Sequence, residues 1–158
     1  MTGLLGPQQI ESLLSGQLIG RIACSDNNVP YISPISYAYD GKDLYFHTSE
    51  GKKTEIMRRN PRVCFQTDHM HSMGEWESVI VWGNYEELTE PAGREAALKL
   101  LVARTLPLIS SVTTHLGRHW PFIQENLNEE IPGIVFRIKV TEKTGRFENS
   151  MHSPCFAV

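Results

Sequence analysis

Residues 29–39 read Val-Pro-Tyr-Ile-Ser-Pro-Ile-Ser-Tyr-Ala-Tyr, a strand composition interrupted by two prolines. Valine, isoleucine and tyrosine suit a pleated, half-buried surface. Proline has no N–H to give a ladder, so this strand belongs at a sheet edge, at a bulge or beside a ligand. Turn signals bracket it: Asp26-Asn27-Asn28 before, and Asp40-Gly41, a strong hairpin signal, after. Leu18, Gly20, Ile22 and Cys24 share one face of the preceding strand, and Leu44 to Thr48 form the return strand. Strands joined by such short turns run antiparallel, because a parallel pair needs a crossover of a dozen residues or more.

The rest of the chain extends this pattern. Residues 7–15 form a helix with Pro7 in its first turn, Ile10, Leu13 and Leu14 as its apolar stripe and Gly16 as its stop. Lys52 to Arg59 is a second helix ending near Asn60-Pro61. Arg62 to Thr67 is a strand, 68–75 a loop, and Trp76 to Leu88 a long strand. Ala92 to about Leu106 is a helix with Ala96, Leu100 and Ala103 on one face. Residues 107–131, bracketed by prolines, suit a further helix, and 134–141 alternate as a half-buried strand. Strand and helix do not alternate, which argues against a parallel doubly wound sheet. The expectation is one mainly β domain over residues 1–158, a small antiparallel barrel with flanking helices.

Composition removes several classes. The longest apolar runs, such as Val79-Ile80-Val81-Trp82, are far short of a membrane-spanning helix. The first seven residues lack the basic flank and apolar stretch of a secretory signal. Cys24, Cys64 and Cys155 have neither a disulfide-framework nor a zinc spacing, which suits a reducing, cytoplasmic location. The net charge of −3 is unevenly placed. Lys52, Lys53, Arg58, Arg59 and Arg62 face the single acid Glu55 within 52–62, a local +4 against −7 elsewhere. So short a basic island suits a local anion site better than a nucleic-acid surface. A solvated helix face is the alternative.

Two segments carry candidate chemistry. In the first, Thr48, Ser49 and Gly51 lead into a helix whose first turn holds Lys52 and Lys53. Lysines there oppose the helix dipole, and a bound phosphate would reverse that cost. Otherwise this is a hairpin end with its lysines in water. In the second, Pro34-Ile35-Ser36 interrupts a strand and could present unpaired backbone to a planar heterocycle, or could simply protect a sheet edge.

Together with Asn60-Pro-Arg-Val-Cys-Phe65 and Glu77-Ser-Val-Ile-Val-Trp-Gly83, the segments at 28–42 and 44–53 resemble the flavin-binding split barrels related to pyridoxamine 5′-phosphate oxidase. They are most similar to the 5-nitroimidazole-resistance branch. The resemblance runs in order from about residue 8 to 89, with an echo at 140–146. It implies a Greek-key split barrel of about six antiparallel strands, forming a homodimer with FMN in two clefts at the subunit interface. Pro34, Ile35 and Ser36 would line the flavin ring through their backbone. His47, Thr48 and Ser49 would border the ribityl chain and phosphate, and Lys52 and Lys53 would pair with the phosphate. Glu77, Ser78 and Val79 would reach the flavin of the other subunit. Two departures stand out: some relatives carry a basic residue at Glu77, and the carboxy-terminal Trp- and Arg-containing substrate motif is absent, which argues against vitamin B6 oxidation.

The function implied is an FMN-dependent oxidoreductase acting on a small planar acceptor such as a nitroaromatic. The alternative is a carrier or sensor that holds flavin or haem without turnover. His47 is the candidate catalytic residue, as a proton relay, against a purely structural strand histidine. His69 and His71 beside Asp68 suit a solvated loop better than a metal site, and His115 with His119 lacks the glutamate of a zinc-protease motif. No metal site is expected. Trp76, Trp82 and Trp120 suit core or interface anchors better than substrate platforms, with the core as the default. No G-x-G-x-x-G dinucleotide fingerprint appears.

Overall fold

The computed structural model describes residues 1–104 and 127–150. In chain order the elements are β1 Thr2–Leu4, α1 Pro7–Gly16, β2 Ile19–Asp26, β3 Val29–Tyr39, β4 Leu44–Thr48, α2 Lys52–Arg59, β5 Arg62–Ser72, β6 Glu75–Glu87, α3 Pro91–Val102, α4 Leu127–Glu130 and β7 Ile134–Asn149. All strand pairs are antiparallel. The sheet order is β1-β7-β4-β3-β2-β5-β6, and a further β6–β7 pairing closes six strands into a barrel with β1 appended. The expected fold class is therefore observed: an antiparallel barrel with flanking helices.

Inside the barrel, Tyr37, Phe46, Phe65 and Phe136 form the aromatic centre, with Tyr37–Phe65 centroids 4.7 Å apart and Phe46–Phe136 stacked at 4.8 Å. Such pairs add about 0.5–1.5 kcal/mol each beyond their area burial. α1 packs Ile10, Leu13 and Leu14 into this core, and the Tyr37 hydroxyl donates to the Leu14 carbonyl at 2.7 Å. α2 contributes Ile56 and Met57. A second cluster lies outside the barrel wall, where Ala97, Leu98 and Leu101 of α3 and Leu127 of α4 cover Ala38 and Val135.

Four expectations need correction. The 68–75 loop is a hairpin: β5 runs to Ser72, Met73-Gly74 turn, and β6 starts at Glu75. Its polar, exposed side chains carry no burial signal. β7 continues eight residues past Thr141, through the bulge where Gly83 pairs with Val140 and Trp82 with Glu142. α3 buries Ala97, Leu98 and Leu101, not Ala96, Leu100 and Ala103, because Arg94 on the same stripe turns toward α4. Trp82 lies on the outer barrel face, 37% exposed, and not in the core. The helix expected over 107–131 falls largely outside the described residues, as do His115, His119, Trp120 and Cys155.

Candidate functional site

β3 makes two different partnerships. Residues 29–36 pair with β2, but only Tyr37, Ala38 and Tyr39 pair with β4. The β3–β4 ladder ends at Tyr37–Phe46. The next register positions, Ser36 and His47, stand on opposite lips of an opening, while β4 carries on beside β7 to Thr48. Pro34, Ile35 and Ser36 form one lip; His47, Thr48 and Ser49 form the other.

The backbone explains the two prolines. Tyr37 N–H donates to the Leu18 carbonyl at 3.0 Å, so alternation directs the N–H groups of odd-numbered residues toward β2. Pro30 and Pro34, being even-numbered, sit where an N–H would point out of the sheet, and neither costs a ladder bond. Of the edge, bulge or ligand-side positions expected for them, the prolines occupy a local edge. β3 as a whole lies between β2 and β4, and only residues 29–36 lack a β4 partner. The Ile35 side chain is buried in the core. Ile35 is odd-numbered, so its N–H and C=O face Gly20 of β2, and the out-turned main-chain groups of this lip are those of Pro34 and Ser36. The Ser33 hydroxyl is buried without a hydrogen-bond partner among the described residues.

The basic island divides in two. Arg58 pairs with Glu50 and Glu87, and Arg59 pairs with Asp26 at 2.8 Å. Lys52 and Lys53 pair with no carboxylate among the described residues. The Lys52 ammonium lies 5.6 Å from the Tyr31 ring centroid, a cation–π contact joining α2 to β3 three residues before the lip. Burial pulls the Lys53 ammonium below its usual range, offset by the nearby Cys24 sulfur. Gly51 is the N-cap of α2 and offers no side chain to the first-turn N–H groups. Two ammonium groups and an uncapped helix start therefore lie beside the opening.

His47 turns away from the Phe46 side of β4 and brings Nε2 to 2.6 Å from the Pro132 carbonyl oxygen. Burial holds its imidazole below the usual value; the Pro132 hydrogen bond opposes this, and the charges of Arg94 and Arg104 add to it. Arg94 donates to the carbonyls of Asn128, Ile131 and Gly133. Arg104 donates to the carbonyls of Leu101 and Tyr37, at 2.7 and 2.8 Å, and its Nη2 is buried without a partner among the described residues. Burial brings the Arg104 guanidinium down to about 10. The sequence reading missed this support. Its one signal was Pro132-Gly133: Gly133 has φ +105°, and a Cβ there would lie 2.8 Å from the Thr48 oxygen and 2.9 Å from His47 Nε2.

Glu77, Ser78 and Val79 do not join this opening within one chain. Ser78 pairs with Asp68 on β5, so β2 and β5 intervene between it and Ser36, a separation of three strand spacings or about 14 Å. Ser78 Oγ accepts a bond from Gln66 at 3.0 Å. Glu77 lines grooves shared with His69. Val79 is fully enclosed and paired on both sides. No metal-binding cluster occurs among the described residues, and no helix there is long and apolar enough to cross a membrane.

The family model described as pyridoxamine 5′-phosphate oxidase matches residues 7–147. The chain belongs to this family. An uncharacterized protein of Rhizobium meliloti (strain 1021) is 34% identical over 90 residues, 57% of this chain. That match spans 60% of the relative's own length. A solved structure from Mesorhizobium loti, described as an FAD-binding protein, shares 28% identity and a TM-score of 0.70, covering 94% of this chain and 99% of that one. A candidate 5-nitroimidazole antibiotic resistance protein from Bacteroides thetaiotaomicron shares 20% identity and a TM-score of 0.68, covering 93% and 87%. At that identity the likeness shows the fold, here the split barrel of the pyridoxamine 5′-phosphate oxidase family.

Proposed function

We propose that this chain binds a flavin, as FMN, and acts as an oxidoreductase on a small planar acceptor of the nitroaromatic kind. The observation that carries this is the opening between β3 and β4, with unpaired backbone on one lip and the Lys52–Lys53 end of α2 beside it. An anion and a planar ring are the two chemistries these surfaces lack. The out-turned backbone groups of β3, which have no β4 partner over residues 29–36, suit a polar heterocycle. The flavin-named relative from Mesorhizobium loti supports the same ligand class; neither it nor the family match supports the haem alternative.

When bound, a flavin supplies hydride or electron transfer through its ring. The chain's own residues bind and orient. Lys52 and Lys53, with the first-turn N–H groups of α2, hold the phosphate, and Thr48 and Ser49 border the linking chain. The Pro34 carbonyl and the Ser36 main chain offer polar groups to the ring edge, with Ile35 between them anchored to β2. His47 in its neutral form braces the β4 lip through Pro132.

A second copy of the chain completes the site in this proposal. The outer face of β3, β2, β5 and β6 exposes Ile19 (53%), Ile32 (67%) and Trp82 (37%), an apolar surface with no helix over it among the described residues. Ser78 would reach the partner's flavin from this face, and Glu77, beside it on β6, from the side of the groove it shares with α1.

The deciding experiment is the absorption spectrum and cofactor mass of the purified protein, followed by NAD(P)H-dependent reduction of a nitroaromatic. Flavin bands with FMN released on denaturation support the proposal. Protein that is colourless and fails to take up FMN sinks it. Bound flavin without turnover leaves a flavin carrier.

A further inference from the structure

Glu50 presents a problem for any anion held by Lys52 and Lys53. It lies two residues before Lys52, directly ahead of the N-cap Gly51, where a free carboxylate would compete with a phosphate for the same ammonium groups. The fold turns it elsewhere. Arg58 Nη1 binds Glu50 Oε1, and Arg58 Nη2 lies 3.2 Å from Glu50 Oε2. The same guanidinium grips Glu87 of β6, with Nε 2.9 Å from Oε2 and Nη2 3.0 Å from Oε1. The Tyr85 hydroxyl adds a 2.9 Å bond to Glu87.

Arg58 is in the last turn of α2 and Lys52 opens the first. Six residues of helical rise separate them, about 9 Å along the axis. The long Arg58 side chain therefore reaches back over that distance and holds the Glu50 carboxylate on its own side of the helix start, where Glu50 Oε1 also lies 3.5 Å from the Thr54 hydroxyl. Glu87, anchored on the barrel wall, fixes Arg58 from the opposite side. We propose that Arg58 is a positioning residue: it holds the Glu50 carboxylate off the phosphate seat and so keeps Lys52 and Lys53 free for the ligand. This rests on the proposed phosphate site. Without Arg58, Glu50 turns back to the lysines and competes with the phosphate.

The test compares binding of FMN and of riboflavin, which lacks the phosphate, by flavin fluorescence. Arg58→Ala is expected to weaken FMN about tenfold while leaving riboflavin nearly unchanged. Adding Glu50→Gln to Arg58→Ala removes the competing charge and restores FMN binding. If Arg58→Ala weakens both flavins alike, or Glu50→Gln gives no rescue, Arg58 is only a brace and the proposal fails. Should Arg58→Ala not fold, Arg58→Gln carries the same comparison. Lys52→Ala combined with Lys53→Ala isolates the underlying assignment. Persistence of the FMN-over-riboflavin preference in that variant overturns the phosphate site itself. Its loss there, with no effect at Arg58, overturns only the role given to Arg58.

Discussion

His47 gives its Nε2 proton to the carbonyl oxygen of Pro132 across 2.6 Å. A carbonyl only accepts, so Nε2 is the protonated nitrogen and the neutral ring is the Nε2–H tautomer. Burial keeps the native imidazole less basic than the unfolded one, with Arg94 and Arg104 pushing the same way against the hydrogen bond. The native state thus takes up the second proton less readily than the unfolded state. Stability present above the unfolded value of 6.5 is lost as pH falls through the lower native value. Urea midpoints should drop between pH 7 and pH 5, and His47→Gln should flatten that drop while costing about 1 kcal/mol at pH 7. An identical slope in the variant would remove His47 as its source.

Gly20 is where β2 and β5 come closest to a side chain. A Cβ there would sit 2.2 Å from the Phe65 ring and 2.4 Å from the Gln66 carbonyl oxygen. Neither neighbour can yield, since one is core aromatic and the other ladder backbone. Gly20→Ala should cost about 2–3 kcal/mol in denaturant unfolding. Gly16→Ala, with nothing within 4 Å of its added carbon, should cost far less.

Arg94 ties α3 to the segment that buttresses β4. Its two terminal nitrogens reach the Asn128 carbonyl and amide oxygens, Ile131 and Gly133. A lysine cannot fork over that set. Arg94→Lys should therefore destabilise nearly as much as Arg94→Met, about 2 kcal/mol by thermal or urea unfolding. Full rescue by lysine would mean that charge alone matters there.

Much of the barrel was legible because its signals are local. The alternation at 18–24, the Asp26-Asn27-Asn28 turn and the prolines of 29–39 each specify a strand, its turn or its edge without reference to distant residues. The two lips of the opening were legible for the same reason, since each is a continuous segment. What the sequence hid depends on pairing across the chain. The 68–72 extension is held by partners on β6 and buries almost nothing. The division of the basic island needed Glu87, 29 residues from Arg58. The His47 contact needed Pro132, 85 residues away. Periodicity also misplaced the buried face of α3, because an arginine on the core stripe reads as polar while its head group is spent on carbonyls.

The outer sheet face gives the most direct test of the assembly. Ile32, Ala23, Cys64 and Trp82 line up across β3, β2, β5 and β6 in one register row, with Ile32 67% exposed at its end. Beside this row Arg21 binds Asp68 at 2.5 Å, and Gln66 binds Ser78 at 3.0 Å. An apolar row flanked by a satisfied polar network resembles the centre and rim of a subunit contact. Ile32→Asp puts a carboxylate into that row without touching the barrel core, so it should leave thermal stability of the single chain nearly intact. In solution-mass measurements it should convert a dimer of the wild-type chain to monomer. Because Glu77 and Ser78 lie about 14 Å from the opening on their own chain, the monomer should also lose flavin, although every residue of the two lips remains. Wild-type chain that is itself monomeric and retains flavin would dismiss the shared site. An Ile32→Asp monomer with full flavin content would show instead that one chain holds the ligand alone.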